Sequence, residues 1–307
     1  MTRKYGELRQ PRQMLGNQEY DGHLSIHDDQ MAENLGFSGA PIEGPTHFSQ
    51  FVPLLHQEFG DAWFERGCIS AHYQNMVVEG EQVRTFIESN PNYSKSVLIG
   101  AEKSDGTPVL IGTASIGPDY GETELDRRIA RLKPSSQLVI LRDLVVGQKG
   151  LKNPETALMG FDQHMGELYP FSLKQKLSVI TEKHPYYTSP HNPWGKSVIP
   201  VEMISVLTQY TSGAAGFKGR GPSVGLFAGQ EIRLIKGPLF VGEEYQLERE
   251  IIALSESRRT ESVWIKTSIF GAASGELVAE TMLNSATLKD SYAKYAEEAQ
   301  VLGKPVS

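Results

Sequence analysis

The chain has 307 residues, of which 37 are acidic and 30 are basic, and its formal net charge at pH 7 is −7. This length predicts roughly two domains. The basic side chains form no tract, which argues against nucleic acid or an anionic membrane surface as a partner and favours a small molecule or a protein. Cys68 is the single cysteine, so no intrachain disulfide can form and the composition is typical of a reducing compartment.

The amino-terminal residues 1–6 include basic side chains, but no apolar core follows them, unlike in a signal peptide. Nowhere does an apolar run approach the ~20 residues that a membrane helix needs. The sequence therefore predicts a soluble cytoplasmic protein without a membrane partner.

The first predicted helix, residues 46–55, follows a segment punctuated by glycine and proline at 36–45. Its apolar residues recur at helical spacing behind Thr46, which can cap the first turn. Pro53 would be costly deep inside a helix, so a kink or an early end is expected there. Period-two patterns predict strands after this helix at 71–78, 79–87, 96–101 and 109–116, with a glycine-containing turn at 104–107.

The second half of the chain repeats this order of elements. Residues 118–133 are charged and predict a linker with a short helix, and residues 193–200 lead into a second amphipathic helix at 201–210. Strands are predicted after it at 231–236, 239–247, 263–270 and 277–283, and a terminal surface helix at 291–301. Such duplication indicates one unit written twice, and each unit is a helix laid on a mainly antiparallel sheet, which is an α+β architecture.

A long helix wrapped by a curved antiparallel β-sheet, present in two copies, resembles the double hotdog fold. Short sequence motifs in the first half are similar to those of the MaoC-like dehydratase and R-specific enoyl-CoA hydratase group. They occur in the family's order at residues 26–29 (Ile-His-Asp-Asp), 36–37 (Gly-Phe), 41–42 (Pro-Ile) and Gly44. Residues 238–243 resemble a later motif of the family, at a turn that leads into a strand.

The resemblance implies a hotdog repeat at residues 1–118 (the first repeat), a linker at 119–149, a second hotdog repeat at 150–290 (the second repeat) and a terminal helix and tail at 291–307. It also implies a lyase, a hydratase or dehydratase, that uses no cofactor and acts on an acyl thioester, with enoyl-CoA or 3-hydroxyacyl-CoA as the expected substrate. The family's catalytic Asp falls on Gly22 and its Asn on Leu24, so the catalytic motif is degenerate.

The first repeat offers candidate proton carriers. His27 and His47 have side chains that titrate near neutral pH and can act as general acid or base. Asp28, or its neighbour Asp29, is expected to assist. Gly44 precedes the predicted helix, whose unpaired N–H groups and dipole can bind the carbonyl oxygen of a substrate.

The second repeat offers other candidates. Glu202 lies at the related place on the second helix and would activate water if the protein were a hotdog thioesterase. Tyr187, His191 and Trp194 give the preceding loop a polar and aromatic surface that suits substrate binding.

Other hypotheses stay open beside the lyase and the thioesterase. A catalytically degenerate hotdog protein would bind an acyl ligand or complete a partner's site, and co-purification of a second hotdog chain would favour this class. Assembly as a homodimer or with a hotdog partner chain stays open. Lys218 and Arg220, in a glycine-rich connection, are candidates for contact with a CoA phosphate. No metal site is predicted, because the spacing of His23 and His27 suits metal ligands only in a helix and Gly22 disfavours a helix.

Overall fold

The computed structural model of the protein describes residues 3–16, 18, 23–89, 95–133 and 137–304, and only the backbone of residues 23 and 24. The strands are β1 (Lys4–Tyr5), β2 (His23–Leu24), β3 (Gly67–Tyr73), β4 (Val83–Ser89), β5 (Ser96–Lys103), β6 (Pro108–Ile116), β7 (Glu155–Leu158), β8 (Ser223–Leu234), β9 (Glu244–Glu256), β10 (Thr260–Gly271) and β11 (Leu277–Leu288). The α-helices are α1 (Asp29–Asn34), α2 (Thr46–Ser49), α3 (Val52–Phe59), α4 (Ala62–Arg66), α5 (Glu124–Ile129), α6 (Leu173–Val179), α7 (Val201–Gln209) and α8 (Tyr295–Val301).

One continuous sheet contains ten of the strands in the described part of the chain. Their order is β1-β4-β5-β6-β3-β8-β11-β10-β9-β7, and each neighbouring pair is antiparallel. β2 lies off this path and pairs with β8 in parallel. The two repeats meet where β3 pairs with β8, from Cys68 opposite Arg233 to His72 opposite Gly229. Backbone hydrogen bonds therefore join the strands of the two repeats edge to edge.

Several strands follow the alternation that the sequence predicted. In β4, Val83, Thr85 and Ile87 are buried while the residues between them are partly exposed. The predicted hairpin is confirmed as β5 and β6, and Gly106 in its turn has a φ of 86°, which favours glycine. The short helix predicted in the linker is α5, which begins with a capping box formed by Thr123 and Asp126.

The central helices differ between the repeats. The first is interrupted at Gln50 and Phe51, so α2 and α3 replace the single helix that was predicted, and Pro53 lies in the first turn of α3, where its missing N–H leaves no intrahelical bond unmade. The interruption agrees with the expected kink. In the second repeat, α7 is continuous and buried along almost its whole length. α2 packs against α7, which brings the two helix starts together.

Some predicted boundaries were wrong. The strand expected at 71–78 is β3, which ends at Tyr73, and the strand expected at 231–236 is β8, which begins at Ser223. The predicted terminal helix begins only at Tyr295. No helix in the described ranges has the length and hydropathy needed to cross a membrane. The repeat boundaries at 118 and 150 stay a prediction.

Candidate functional site

A cavity of about 840 Å³ is lined by residues of both repeats. Buried side chains such as His47 and Glu43 lie in one part of its wall, whereas the exposed Gln74, Asn75 and Lys218 lie in another. The cavity therefore reaches from solvent into the core. Its volume lies within the ~300–1,000 Å³ typical of sites for small organic ligands.

The imidazole of His27 lines this cavity and is held by the backbone of the loop before α2. His27 Nδ1 lies 2.9 Å from the carbonyl oxygen of Pro41, and the amide of Gln13 bonds the same oxygen. Since a carbonyl oxygen can only accept, Nδ1 carries the proton and Nε2 keeps a lone pair. Burial lowers the pKa of His27, and the bond to Pro41 opposes this effect. The ring is thus a neutral base at neutral pH.

Glu43 follows Pro41 by two residues, a span of at most about 7 Å of chain. Its side chain lines the cavity, is 8% exposed, and its Oε1 has no hydrogen-bond partner within the described residues. Burial raises the pKa of Glu43 to about 7, which the cation of Lys176 opposes and the negative charge of Glu202 reinforces. At neutral pH this carboxyl therefore exists in both protonation states, which is the property that a general acid needs.

His47 lies in the first turn of α2 and also lines the cavity. It is 2% exposed, and its Nδ1 lies 3.0 Å from Oε1 of Gln50. Burial lowers the pKa of His47 to about 4, and the nearby cation of Lys176 acts in the same direction. The ring is neutral at pH 7, and it is a weak base.

Gly44 lines the cavity, but close packing explains its lack of a side chain. A Cβ atom at this position would lie 2.6 Å from Cζ of Tyr73, closer than non-bonded atoms approach. Tyr73 also lines the cavity, and its buried hydroxyl has no hydrogen-bond partner in the described ranges. Burial raises the pKa of Tyr73 well above its ordinary value, and so does Glu43. The hydroxyl therefore keeps its proton and can donate to a ligand.

Glu202 lies behind the cavity wall, in contact with a lysine. Lys176 Nζ on α6 lies 3.4 Å from Glu202 Oε2 on α7 and donates a hydrogen bond of 3.1 Å to Oγ1 of Thr46 on α2. Neither side chain lines the cavity, and both are at least 97% buried. Burial raises the pKa of Glu202, and Lys176 counteracts it.

The other predicted site residues lie elsewhere. Asp28 is exposed and caps α1, its Oδ1 accepting a bond of 2.8 Å from the Met31 amide. Tyr187 is buried, Trp194 is partly buried, and neither lines the cavity. His191 is exposed on the same loop. Their predicted roles therefore have no support from the position of these side chains.

The loop that carries Trp194 packs against the first repeat. Trp194 Nε1 donates a bond of 3.2 Å to Glu65, and its ring lies 6.1 Å from that of Phe64. The aromatic side chains that suggested a ligand surface are thus used in contacts between the repeats.

Of the two cations predicted in the glycine-rich connection, one lies at the cavity. Lys218 is exposed at the cavity, whereas Arg220 donates two bonds of 3.0 Å to the carboxylate of Glu298. Gly22, the position of the family's catalytic Asp, lies outside the described residues. In the ranges that are described, no group of three or more His, Cys, Asp or Glu side chains is arranged to hold a metal ion.

Sequence reasoning missed Glu43, Tyr73 and Lys176. A signal for Lys176 exists, because it falls on the apolar stripe formed by Leu173 and Ile180, where a cation is unexpected unless it is paired. Glu43 stands next to the buried Ile42, in the segment rich in glycine and proline that precedes the first central helix. Nothing in the period-two pattern distinguishes Tyr73 from any other strand residue.

No family model matches the chain, and no curated protein matches it. Among solved structures, a conserved hypothetical protein from Mycobacterium tuberculosis with a double hotdog fold is 11% identical, with a TM-score of 0.55 over 85% of this chain and 86% of that one. A MaoC-like dehydratase is 12% identical, with a TM-score of 0.48 over 85% and 87% of the two chains. A putative oleoyl thioesterase from Lactobacillus plantarum is 10% identical, with a TM-score of 0.42 over 94% and 97%.

The likeness to the mycobacterial protein confirms the predicted double hotdog fold. At this identity it is evidence for the fold alone, because one fold can support many activities.

Proposed function

We propose that the protein is a hydratase or dehydratase that interconverts an enoyl thioester and a 3-hydroxyacyl thioester. One observation carries the proposal: His27, Glu43 and His47 line one cavity of a size that holds an acyl group. Addition of water across a double bond needs a base and an acid at neighbouring carbons, and these side chains supply both.

In the hydration direction, Nε2 of His27 takes a proton from water, whose oxygen forms a bond to Cβ of the substrate. The π electrons of the double bond then form a bond between Cα and the proton that Glu43 delivers. His27 returns its proton to solvent and Glu43 takes one up, so the net change is the addition of one water molecule. Dehydration is the reverse of these steps.

The negative charge that develops on the thioester oxygen requires a hydrogen-bond donor. Tyr73 is suited to this role because its hydroxyl is protonated, buried and unpaired within the described residues. Burial keeps the imidazole of His47 neutral by lowering its pKa, and in this proposal its Nε2 accepts a hydrogen bond that orients the water. Lys218, at the exposed part of the cavity, would lie near the carrier, for which CoA is the proposed identity.

The thioesterase hypothesis finds less support. Glu202 would have to reach a water molecule beside the thioester, but its carboxylate lies outside the cavity lining and faces Lys176. The hypothesis of a catalytically degenerate binding protein rests on the family motif, whose Asp position is Gly22. Glu43 argues against this hypothesis, since it places a carboxyl at the cavity from a different position in the chain.

The test is an assay of enoyl-CoA and 3-hydroxyacyl-CoA substrates of several chain lengths, followed by the absorbance of the conjugated double bond. Glu43→Gln and His27→Gln are each expected to lower kcat by about 10²- to 10⁴-fold. His191→Gln, a substitution outside the cavity, should leave kcat unchanged. Binding of these substrates without turnover would favour the binding protein, and release of free thiol would favour the thioesterase.

A further inference from the structure

A buried group of titratable side chains lies at the cavity wall and behind it, and both repeats contribute to it. Its members are Lys176 and Glu202 of the second repeat and Glu43 and His47 of the first, each at most 8% exposed. Burial makes an unpaired charge costly, so the number of protons held by this group is constrained.

We infer that Lys176 is a positioning residue that determines how a proton is shared between Glu43 and Glu202. The inference rests on the proposed function, in which Glu43 must be protonated to act as the acid. It assigns the second repeat a task in the chemistry of the first.

The contacts of the ammonium group support this assignment. Lys176 Nζ lies 3.4 Å from Oε2 of Glu202, bonds Oγ1 of Thr46 at 3.1 Å, and lies 5.9 Å from the centre of the Phe171 ring. The hydroxyls of Thr46 and Ser49 also favour the ionised form of Glu202, and Tyr169 favours that of Glu43, whose Oε1 has no hydrogen-bond partner among the described residues. Among the groups that favour negative charge on these two carboxyls, the lysine has the largest effect.

One cation cannot compensate two buried carboxylates. Two like charges in one site cannot both ionise readily, so the first ionisation opposes the second. Glu202 is in direct contact with Lys176, and the proton is accordingly retained by Glu43, which faces the cavity. Other titratable groups interact with this group: Tyr169, before α6, hydrogen-bonds Glu43, Tyr73 of β3 interacts with Glu43, Tyr187, before α7, interacts with Glu202, and His47 of α2 interacts with Lys176.

The experiment follows the protonation of Glu43 directly, without substrate. Glutamate labelled with 13C at Cδ is incorporated into the full chain, the Glu43 signal is assigned by its loss in Glu43→Gln, and its midpoint is measured by NMR as a function of pH. Lys176→Met should raise the midpoint by about one pH unit or more, because no cation then favours ionisation. Glu202→Gln should lower it, because the cation then acts on Glu43 alone.

Lys174→Met is the matched control. Lys174 lies on the same helix, but it is exposed and pairs with the exposed Asp162, so its removal should not move the Glu43 midpoint. An unchanged midpoint in Lys176→Met, or an equal shift in Lys174→Met, would overturn the inference. If Lys176→Met does not fold, the test rests on Glu202→Gln. A Glu43 midpoint that is not lowered in that variant contradicts the inference. Because these readings need no turnover, they are independent of whether the proposed reaction is correct.

Discussion

The two repeats place a carboxyl at the start of their central helices, but they use it differently. Glu43 stands three residues before α2 and faces a cavity, whereas Glu202 is the second residue of α7 and faces Lys176. Glu202 corresponds in position to His47, the second residue of α2, whereas Glu43 lies in the loop before that helix; one carboxyl is therefore open to the cavity and the other is enclosed. The enclosed position can still influence the open one electrostatically, because α2 and α7 pack together.

The loops before the helices differ in the same way. The loop of the first repeat holds His27 at the cavity through Pro41. The loop of the second repeat packs on α3 and α4, where His184 Nε2 lies 3.3 Å from His56 Nδ1 and Tyr186 donates a bond of 3.0 Å to Asp61. The loop of the first repeat therefore contributes to the cavity, whereas the loop of the second repeat packs against helices of the first.

The largest expected effect on the free energy of unfolding distinguishes a buried carboxylate that has an ion-pair partner from one that has none. Arg249 bonds both carboxylate oxygens of Glu155, at 2.8 and 3.0 Å, and both side chains are almost fully buried. Glu155→Gln should lower the free energy of unfolding by about 3–5 kcal/mol, since it leaves a buried cation without its partner. Glu43→Gln should cost far less, because Glu43 has no such pair. Urea denaturation measures both, and an equal loss would contradict the distinction.

The pH dependence of stability should separate Glu43 from His47. The pKa of Glu43 is raised from 4.5 to about 7, so its contribution to stability is present below pH 4.5 and is lost as the pH rises through 7. Relative to the wild type, Glu43→Gln should gain about 3 kcal/mol over this interval. The measurement is the unfolding free energy of both proteins between pH 4 and 8, and a constant difference would contradict the burial of this charge.

His47 should act with the opposite sign. Its pKa is lowered from 6.5 to about 4, so its contribution is present above pH 6.5 and is lost as the pH falls through 4. His47→Gln should therefore gain about 3 kcal/mol on the wild type as the pH falls from 6.5 to 4. In the wild type the two effects oppose each other, so only the single variants expose them.

A smaller effect is expected from Gly44→Ala. The new Cβ would meet the Tyr73 ring at 2.6 Å, and displacement of this packed ring should cost about 1–3 kcal/mol. Gly213→Ala is the control in the second repeat, because a Cβ there meets no atom within 4 Å. Thermal denaturation compares the two, and equal melting temperatures would show that Tyr73 is not held by this contact.

The smallest effect concerns the loop of the second repeat. His191→Ala should change the free energy of unfolding by less than about 0.5 kcal/mol, because the side chain is exposed and lies outside the cavity lining. The affinity for an acyl-CoA, measured by calorimetry, should also be unchanged. A large loss of affinity would restore the predicted role of this residue and break the contrast between the two loops.

Secondary-structure elements were predicted correctly from the sequence where a local pattern determines them. Gly106 marks the hairpin of β5 and β6, and the apolar stripe marks α7. β3 was misplaced because its first five residues are all buried, so the strand carries no alternation to be read. Long strands such as β8 contain glycines that mimic turns.

The site was accessible only in part, for a related reason. His27, Gly44 and His47 lie in or next to recognisable sequence motifs, and all three line the cavity. The approach of Lys176 on α6 to Glu202 on α7 depends on the tertiary fold, which no local pattern encodes. Site residues within recognisable local motifs were therefore predictable, whereas contacts between elements that are distant in the sequence were not.

The central claim is that His27 and Glu43, in the cavity lined by both repeats, act as base and acid for the addition of water. Its most direct test is hydration of an enoyl-CoA in D₂O with mass analysis of the product. The wild type should place one non-exchangeable deuterium at Cα of the 3-hydroxyacyl product, and Glu43→Gln should form this product at a rate lowered by about 10²-fold or more. Cleavage of the thioester with no deuterium at Cα, or an unchanged rate in Glu43→Gln, would contradict the account.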